Sequence, residues 1–288
     1  MSTQPQKSVA LIAGPTASGK SAMAIALARE RDGVIINADS MQVYRELRIL
    51  SARPTCEDEA QVPHRMYGHV GGAENYSVAR WLADAKDEIE AAWTAGKLPI
   101  ICGGTGLYFM ALEQGLSEVP AIPHGIREKW RRFDGDVYGE LLLRDPVMAA
   151  RLKPGDRQRI GRALEVVEAT GRSLADWQGR EQEQVFLNQI NAERHFIDVP
   201  REELYSRAER RFDLMVQQGA VAEVRGLPEL RSELPMMKAI GVPEILAHLR
   251  GKITLDEAVA QAKTATRQYI KRQMTWWRGR AGWEVNRP

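Results

Sequence analysis

The sequence predicts an α/β fold, in which a parallel β-sheet is flanked by helices and carries an inserted all-helical subdomain. Three short apolar runs, at residues 9–13, 34–36 and 98–102, each precede a glycine or polar turn. Helical patterns at residues 22–29 and 77–93 separate these runs. Apolar strands that alternate with helices in this way are typical of a parallel sheet.

The middle of the chain has a different character. Residues 117–191 predict short helices with hardly any strand signal, and the apolar run at residues 195–199 then predicts a later strand of the same sheet. We therefore expect a core formed by residues 1–116 and 192–288, with residues 117–191 as an inserted helical domain.

Two helices carry clear start and stop signals. Asp156 can cap the start of a helix, and Gly171 stands where a C-terminal cap belongs. Thr254 begins the last long helix with the spacing of a capping box, and Gly279 fits as its stop. The helix that begins at Thr254 carries most of the basic residues of the C-terminal segment.

Composition excludes several classes of protein. With 288 residues and 44% hydrophobic residues, the chain can bury a core, so we do not expect bulk disorder. The two cysteines, Cys56 and Cys102, are far apart, which argues against a zinc module and fits a reducing compartment. No apolar stretch reaches the ~20 residues of a membrane span, and the N-terminus lacks the build of a signal peptide. We expect a cytoplasmic protein without membrane contact.

A phosphate-binding loop follows the first predicted strand. Residues 14–21 read GPTASGKS and match GxxxxGK[ST], with a strand before the motif and a helix after it. Glycines let successive N–H groups point into one concavity, and the helix N-terminus adds partial positive charge. Lys20 supplies a full charge, and the Ser21 hydroxyl can contact Mg²⁺. The alternative is an ordinary glycine-rich turn between a strand and a helix.

The loop alone predicts a polyphosphate ligand without identifying it. ATP would be the default, and a kinase or ATPase would also have an Asp at the end of a strand to hold Mg²⁺. Asp39 and Asp198 both loosely satisfy that requirement. Two further motifs, NADSMQVYR at residues 37–45 and GGTGLY at residues 103–108, follow the second and third predicted strands. They should face the same crevice as the loop, because ligands bind at the carboxyl ends of parallel strands.

At these motifs the sequence resembles the bacterial tRNA dimethylallyltransferase family, also called tRNA isopentenyltransferases. The resemblance also includes DRQRIGRALEV at residues 156–166 and KRQMTWWR at residues 271–278. The motifs occur in the family's order and span residues 14–278. NADSMQVYR is highly specific, whereas GGTGLY alone would be weak. No C-terminal zinc-finger pattern, as found in eukaryotic relatives, is present.

The resemblance implies a P-loop NTPase-like core and a transfer reaction. A dimethylallyl group would leave dimethylallyl diphosphate and attach to N6 of the adenosine at tRNA position 37. The phosphate loop would then grip a diphosphate leaving group and not ATP, with Mg²⁺ on Ser21. Asp39 would accept the proton of the attacking amine. The alternative is a cap of the turn or helix start after the strand.

The resemblance carries the family's functional residues onto this sequence. Catalysis is assigned to Asp39, Thr105 and Lys20. Diphosphate binding is assigned to Gly14, Pro15, Thr16, Ala17, Ser18, Gly19, Lys20, Ser21 and Arg211. Binding of the tRNA anticodon stem-loop is assigned to Asp39, Ser40, Met41, Gln42, Thr105, Arg127, Gln158, Arg159, Ile160, Gly161, Arg162, Lys238, Gly241, Lys271, Arg272, Gln273, Trp276 and Arg278. For Thr105 the alternative is a turn hydroxyl bonded to its own backbone, and for the arginines it is a solvated helix face.

The C-terminal segment is strongly basic. Residues 263–288 contain seven Lys and Arg residues but a single acidic one, Glu284, although the whole chain has a net charge of only +2. Aromatic residues interleave with the basic ones, which is a nucleic-acid-binding pattern. The alternative is a charged amphipathic helix whose tryptophans belong to the core. We expect a mixture, with one Trp buried and Lys271, Arg272 and Arg278 contacting phosphates. We also expect a monomer.

Three positions depart from the family's pattern. Leu50 replaces a glycine, Gly68 stands where an aspartate is usual, and Val242 stands where a tyrosine is usual. These changes spare the chemistry but bear on the RNA contacts near them.

Three other functions remain compatible with the residues. They are a P-loop kinase or ATPase for a small molecule, a nucleic-acid-binding GTPase-like module, and an enzyme that prenylates free adenine nucleotides. The basic, aromatic C-terminus and the helical insert favour RNA over a free nucleotide.

Overall fold

The computed structural model describes five stretches of the chain, which are residues 7–179, 185–188, 190–228, 233–278 and 282–287. The chain forms two compact units, one made of residues 1–113 and 186–288 and the other of residues 114–185. The second unit ends six residues before the predicted boundary. Phe186 stacks on Trp93 of the first unit at 6.0 Å between ring centroids, and Leu187 is buried, so the chain rejoins the core before the next strand begins.

The first unit contains a six-stranded sheet. Its strands, in chain order, are β1 (Ser8–Ala13), β2 (Gly33–Asn37), β3 (His64–Arg65), β4 (Leu98–Gly103), β5 (Asn191–Ile197) and β6 (Glu284–Asn286). Their spatial order is β3-β2-β4-β1-β5-β6, and every neighbouring pair is parallel. The predicted α/β class with a parallel sheet is confirmed.

Helices cover the sheet and make up the second unit. In chain order they are α1 (Lys20–Glu30), α2 (Cys56–Gln61), α3 (Val78–Thr94), α4 (Gly106–Gln114), α5 (His124–Arg132), α6 (Val137–Arg144), α7 (Pro146–Arg151), α8 (Arg157–Thr170), α9 (Leu174–Gln178), α10 (Arg201–Gln217), α11 (Ala220–Arg225), α12 (Val242–Leu249) and α13 (Leu255–Trp277), with a 3₁₀ turn at Pro235–Lys238. Among the described residues, no helix combines the length and the apolar composition that crossing a bilayer requires.

The three central strands are buried over almost their whole length. Helices cover both faces, so β1, β2 and β4 are continuous apolar runs and not alternating ones. Strand β5 is different, because it begins four residues before the predicted run. Its first half is polar: Glu193 pairs with Arg31 at 2.6 Å and Arg194 pairs with Glu113 at 2.6 Å. Cross-strand pairing with β1, and not hydrophobicity, extends this strand.

The second unit is helical throughout its described residues and has a core of its own. Trp130, Leu141, Ile160 and Leu164 pack in that core. The Asp156 side chain accepts the N–H of Arg159, which caps α8 as predicted. Gly171 ends the helix in the left-handed conformation, with φ of 68°.

Helix α13 is the longest element. The Thr254 side chain accepts the N–H of Glu257, and Glu257 reciprocates in a capping box, as the spacing predicted. Its inward face buries Ile270 and Trp277. The helix ends at Trp277; the predicted stop at Gly279 lies outside the described residues.

Two glycines of α8 provide a matched pair for testing the cap. A Cβ at Gly171 or Gly161 would meet nothing within 4 Å, so backbone conformation alone distinguishes the two positions. Gly171→Ala should lower the free energy of unfolding by about 1 kcal/mol, because its φ is positive. Gly161→Ala should raise it by up to about 1 kcal/mol, because Gly161 lies inside the helix. Denaturant unfolding of the full chain measures both changes, and equal effects of the two substitutions would contradict the assignment of the cap.

Candidate active site at the carboxyl edge of the sheet

Three loops meet at the carboxyl edge of the sheet, as the motif order predicted. They follow β2, β4 and β1, which are neighbours in that order. A Cβ at Gly103 would lie 2.1 Å from the carbonyl oxygen of Ala38, so only glycine allows the loops after β2 and β4 to approach this closely. The N–H of Thr105 then donates to that same carbonyl at 3.1 Å.

The phosphate loop has the geometry of an anion cradle. The N–H of Ser18 donates to the carbonyl of Pro15 at 3.2 Å, and Ala17 and Gly19 both have positive φ, at 66° and 95°. Within the described residues, the N–H groups of Gly19 and Lys20 have no protein acceptor. Alternating backbone conformations of this kind turn successive N–H groups toward one point, where an anion binds. Pro15 has no N–H, so it shapes the turn and contributes no donor.

Two cations and one carboxylate interact electrostatically beside this loop. Burial lowers the pKa of Lys20, the negative charge of Asp39 opposes that effect, and Arg211 adds to it. Burial likewise lowers the pKa of Arg211, and Asp39 again opposes it. Among the described residues, neither cation has a carboxylate within 4 Å; Lys20 has only a long contact of 3.4 Å to the carbonyl of Pro15. The group suits a negatively charged ligand with more than one charge.

Asp39 and Thr105 are tied to neighbouring loops. The Asp39 carboxylate accepts the N–H of Met41 at 3.0 Å. Thr105 accepts the N–H of Ser40 at 3.0 Å, so its hydroxyl bridges the loop after β4 to the loop that carries Asp39. The alternative for Thr105, a hydroxyl bonded to its own turn, does not describe these contacts.

Several neutral hydroxyl and thiol groups face the charge of Asp39. Burial, followed by the charge of Asp39, raises the pKa of Tyr108 and of Tyr269. Burial also raises the pKa of Cys102 to about 11, so its thiol is protonated at neutral pH and is a poor nucleophile. Tyr108 belongs to the GGTGLY motif but was not among the predicted site residues.

Gln273 has a structural role that the prediction did not include. Its side chain is buried; Oε1 accepts the N–H of Thr16 at 2.9 Å, and Nε2 donates to the carbonyl of Gly104 at 3.0 Å. Its amide therefore joins α13 to the phosphate loop, and the assignment of Gln273 to tRNA binding stays a prediction. The N–H of Thr16 is also occupied, which leaves its side chain for diphosphate.

The basic residues of α13 fall into two groups. Lys263 pairs with Asp213 at 2.6 Å, and Arg267 pairs with Glu209, so both hold α13 against α10. Lys271, Arg272 and Arg278 are exposed and, within the described chain, have no carboxylate within 4 Å. A count of positive charges in the sequence could not separate these two groups, because the acidic partners of the first group lie about 50 residues earlier in the chain.

The two tryptophans of α13 also differ. Trp277 is buried and contacts Phe109, Phe196 and Trp283 through its ring. Trp276 is half-buried, and its indole nitrogen occupies the space next to Gly106. One Trp is thus in the core, as expected for this helix.

In the helical unit, the predicted RNA-binding residues are mostly at the surface of α8. Gln158 and Arg159 are exposed, and Arg162 pairs with Glu165 at 3.3 Å. Ile160 is fully buried in the core of that unit, so its prediction as an RNA contact is wrong for the side chain. On α5, Arg127 has a buried Nε without a hydrogen-bond partner among the described residues.

Lys238 and Gly241 lie on either side of the turn before α12. Lys238 is exposed, whereas Gly241 is buried and its N–H donates to Glu244 at 2.9 Å. Its carbonyl accepts the N–H of Ile245 at 3.0 Å, so both backbone groups make hydrogen bonds within the protein, and the assignment of Gly241 to tRNA binding stays a prediction. Gln42 is partly occupied as well, because its Nε2 donates to the carbonyls of Ser51 and Ala52, each at 2.9 Å.

The departures from the family's pattern have local packing explanations. A Cβ at Gly241 would lie 2.7 Å from the end of Leu50, so this leucine fills the space at that glycine. Gly68 has φ of 59°, and a Cβ there would lie 1.4 Å from the guanidinium of Arg53, which therefore occupies the space of a side chain at position 68. Val242 is fully buried.

Comparisons with known proteins agree with this geometry. The model of the family described as IPP transferase matches residues 42–280, and a model described as isopentenyl transferase matches residues 7–74. A tRNA dimethylallyltransferase of Azorhizobium caulinodans is 52% identical over 275 residues, covering 93% of this chain and 88% of that protein. One from a Chelativorans species is 52% identical over 288 residues, covering 96% and 98%.

Solved structures give the same result. The full-length tRNA isopentenylpyrophosphate transferase of Bacillus halodurans has a TM-score of 0.70 at 32% identity, covering 98% of this chain and 90% of that one. A eukaryotic dimethylallyltransferase acting on tRNA has a TM-score of 0.81 at 29% identity, covering 94% and 69%. The resemblance that the motifs indicated is confirmed, and the chain belongs to the IPP transferase family.

Proposed function

We propose that the protein transfers a dimethylallyl group from dimethylallyl diphosphate to N6 of the adenosine at tRNA position 37, next to the anticodon. The products are N6-isopentenyladenosine and diphosphate. The observation that carries the proposal is the electrostatic grouping of Lys20 and Arg211 with Asp39, beside a loop of free N–H groups. The two cations and the N–H groups suit an anionic leaving group, and the carboxylate suits proton removal.

The diphosphate occupies the phosphate loop in this proposal. Breaking the allylic C–O bond leaves negative charge on the diphosphate oxygen. Lys20, Arg211 and the loop N–H groups stabilise that charge as it develops, which is where preorganised donors accelerate a reaction. Both cations are desolvated, so their interaction with an anion is stronger than it would be in water.

The resemblance implies Mg²⁺ as the metal. Ser21 follows Lys20 in the first turn of α1, and its side chain is exposed. The described residues contain no group of three acidic, His or Cys ligands. This donor set fits Mg²⁺, which usually keeps several waters and binds through one or two side chains plus substrate phosphates. The Ser21 hydroxyl would hold the ion, which would supply further charge neutralisation to the diphosphate.

The adenine amine is the nucleophile. N6 forms a bond to C1 of the dimethylallyl group, and the electron pair of the broken C1–O bond leaves with diphosphate. The amine becomes acidic as it attacks, and the Asp39 carboxylate accepts the proton that it loses. Thr105 bonds to the neighbouring N–H of Ser40 and holds this loop in position.

The RNA must present its base outside the stack. An adenine stacked in the anticodon loop cannot bring N6 to a carboxylate within the protein, so we infer that the base is flipped out. Loop bases are partly unstacked already, which lowers the free energy required. Lys271, Arg272 and Arg278 are suited to contact RNA phosphates, and the helical unit, through Arg127, Gln158, Arg159 and Arg162, is suited to the anticodon arm.

The proposal also covers the setting of the reaction. We also propose that the protein acts as a monomer. A tRNA substrate and two free cysteines are consistent with the cytoplasm.

The transfer itself can be tested directly. Incubation with an anticodon stem-loop RNA, Mg²⁺ and labelled dimethylallyl diphosphate should place label on the adenosine that follows the anticodon, without ATP consumption. Replacing that adenosine by guanosine is the control, because it lacks the N6 amine. Label that stays off the RNA while added ATP is hydrolysed would favour the kinase or ATPase alternative. Label on a free adenine nucleotide would favour the enzyme that prenylates free adenine nucleotides.

Asp39→Asn should separate chemistry from binding. The amide is isosteric and can still accept the N–H of Met41, but it cannot take a proton at neutral pH. We expect the single-turnover rate to fall by about 10²- to 10⁴-fold, with RNA affinity changed less than about 3-fold. Asp87→Asn, at an exposed position of α3, serves as the control. An equal loss of rate and affinity would mean that Asp39 binds RNA or supports the fold.

Lys271→Ala should remove one phosphate contact. The slope of log Kd for RNA against log salt should decrease in magnitude by about 0.7 to 0.9, together with weaker binding. Lys252→Ala is the matched control, because Lys252 is also exposed but precedes α13, and roughly 24 Å of helix separates Leu255 from Lys271. An unchanged slope for Lys271→Ala would exclude that lysine from the interface.

A further inference from the structure

Asn37 is a buried polar residue at the end of a strand that is otherwise apolar. It is the last residue of β2 and has no exposed surface, with a relative exposure of 0%. The rest of the strand is glycine, valine and two isoleucines. A buried amide requires hydrogen-bond partners, since an unsatisfied one destabilises the fold. The partners of Asn37 therefore indicate what this residue does.

Two of the three side-chain hydrogen bonds of Asn37 go to the backbone of Asp39. Oδ1 accepts the N–H of Asp39 at 2.8 Å, and Nδ2 donates to the carbonyl of Asp39 at 2.9 Å. Nδ2 also donates to the carbonyl of Met66 at 3.2 Å. One N–H and two carbonyls surround the amide, so only one orientation of its oxygen and nitrogen satisfies all three bonds. The side chain therefore holds both peptide groups of Asp39.

Asn37 is held in turn by the helices that cover the sheet. Its own carbonyl accepts the indole N–H of Trp81 at 2.8 Å. Trp81 is fully buried on α3 and stacks on Tyr108 of α4, with ring centroids 4.2 Å apart and planes 10° apart. Asn37 thus connects a rigid, buried aromatic pair to the loop that carries the carboxylate.

The side chain of Asp39 has much less support than its backbone. Oδ1 accepts the N–H of Met41, and within the described residues no hydrogen bond to Oδ2 is present. The direction of the carboxylate therefore depends on the position of the backbone from which it projects. That position is set by Asn37 on one side and by the bond between Ser40 and Thr105 on the other.

We propose that Asn37 is a positioning residue for the transfer reaction, acting through Asp39. This inference rests on the proposed function, in which Asp39 accepts the proton of the attacking amine. Displacement of a catalytic group by about 1 Å can reduce a rate by about 100-fold. Loss of the Asn37 amide frees both peptide groups of Asp39, so it changes the geometry of proton transfer while the phosphate loop and the RNA-binding cations stay as they are.

A double-mutant cycle tests this coupling. Asn37→Ala is made in the natural chain and in the Asp39→Asn variant, and single-turnover rates are measured at saturating dimethylallyl diphosphate and stem-loop RNA. We expect a loss of about 10- to 100-fold in the natural background and of less than about 3-fold in the Asp39→Asn background, because residues that act as a unit are not additive. RNA Kd should change by less than 3-fold in both.

Two further variants guard against an effect of stability alone. Trp81→Phe keeps an aromatic ring but removes the indole N–H that bonds to the Asn37 carbonyl, together with part of the buried ring volume, so it should show a smaller rate loss that again disappears with Asp39→Asn. Ile89→Val deletes a buried methyl group on α3, at some distance in sequence from the site, and should lower the melting temperature without lowering the rate. Asn37→Ser replaces Asn37→Ala in the cycle if the alanine variant does not fold.

The outcomes separate the two proposals. If the Asn37 variant loses the same factor in both backgrounds, or if Ile89→Val at equal melting temperature loses as much rate, the positioning role is overturned while the proposed function stands. If Asp39→Asn alone leaves the rate unchanged, the assignment of Asp39 in the proposed function fails. A rate loss confined to chains that retain Asp39 supports both.

Discussion

The site depends on one constraint. Two positively charged side chains are removed from water, and among the described residues neither has a carboxylate at contact distance. Burial lowers the pKa of both Lys20 and Arg211, and the charge of Arg211 lowers the pKa of Lys20 further, while the charge of Asp39 offsets these effects only in part. Such an arrangement is unfavourable for the protein alone and favourable when a polyanion binds. The free N–H groups of the phosphate loop point to the same conclusion.

The loops are held in that arrangement by a few polar contacts between distant parts of the chain. Gln273 on α13 joins the phosphate loop to the loop after β4, and Thr105 joins the latter to the loop after β2. Helix α13 therefore has two faces with separate tasks. Its buried face supports the diphosphate site, and its exposed face carries cations suited to RNA. In the proposed function, one helix would therefore help to position both substrates.

Two of the three departures from the family's pattern are explained as pairs of positions. Leu50 fills the space beside Gly241, and the guanidinium of Arg53 fills the space beside Gly68. Glu223 of α11 accepts the N–H groups of Arg48, Ile49 and Leu50 at 2.7 to 2.9 Å, which fixes the segment that carries both side chains. These positions support the loop next to Asp39 and leave the phosphate loop and the carboxylate untouched. The pairs are invisible in the sequence, because their members lie far apart along the chain.

The sequence alone determined the features that depend on neighbouring residues. Local hydrophobicity predicted β1, β2 and β4, cap residues predicted the ends of α8, and parallel strand order brought Lys20, Asp39 and Thr105 to one edge. Arg211 was identified only through the resemblance, and Gln273, Ile160 and Gly241 were assigned to RNA although they are buried. Tertiary structure determined the burial of these residues. It also determined the pairing of the polar half of β5 and the division of the basic residues of α13 into paired and exposed groups. Burial and pairing across the fold depend on partners that are distant in sequence, and no local pattern encodes them.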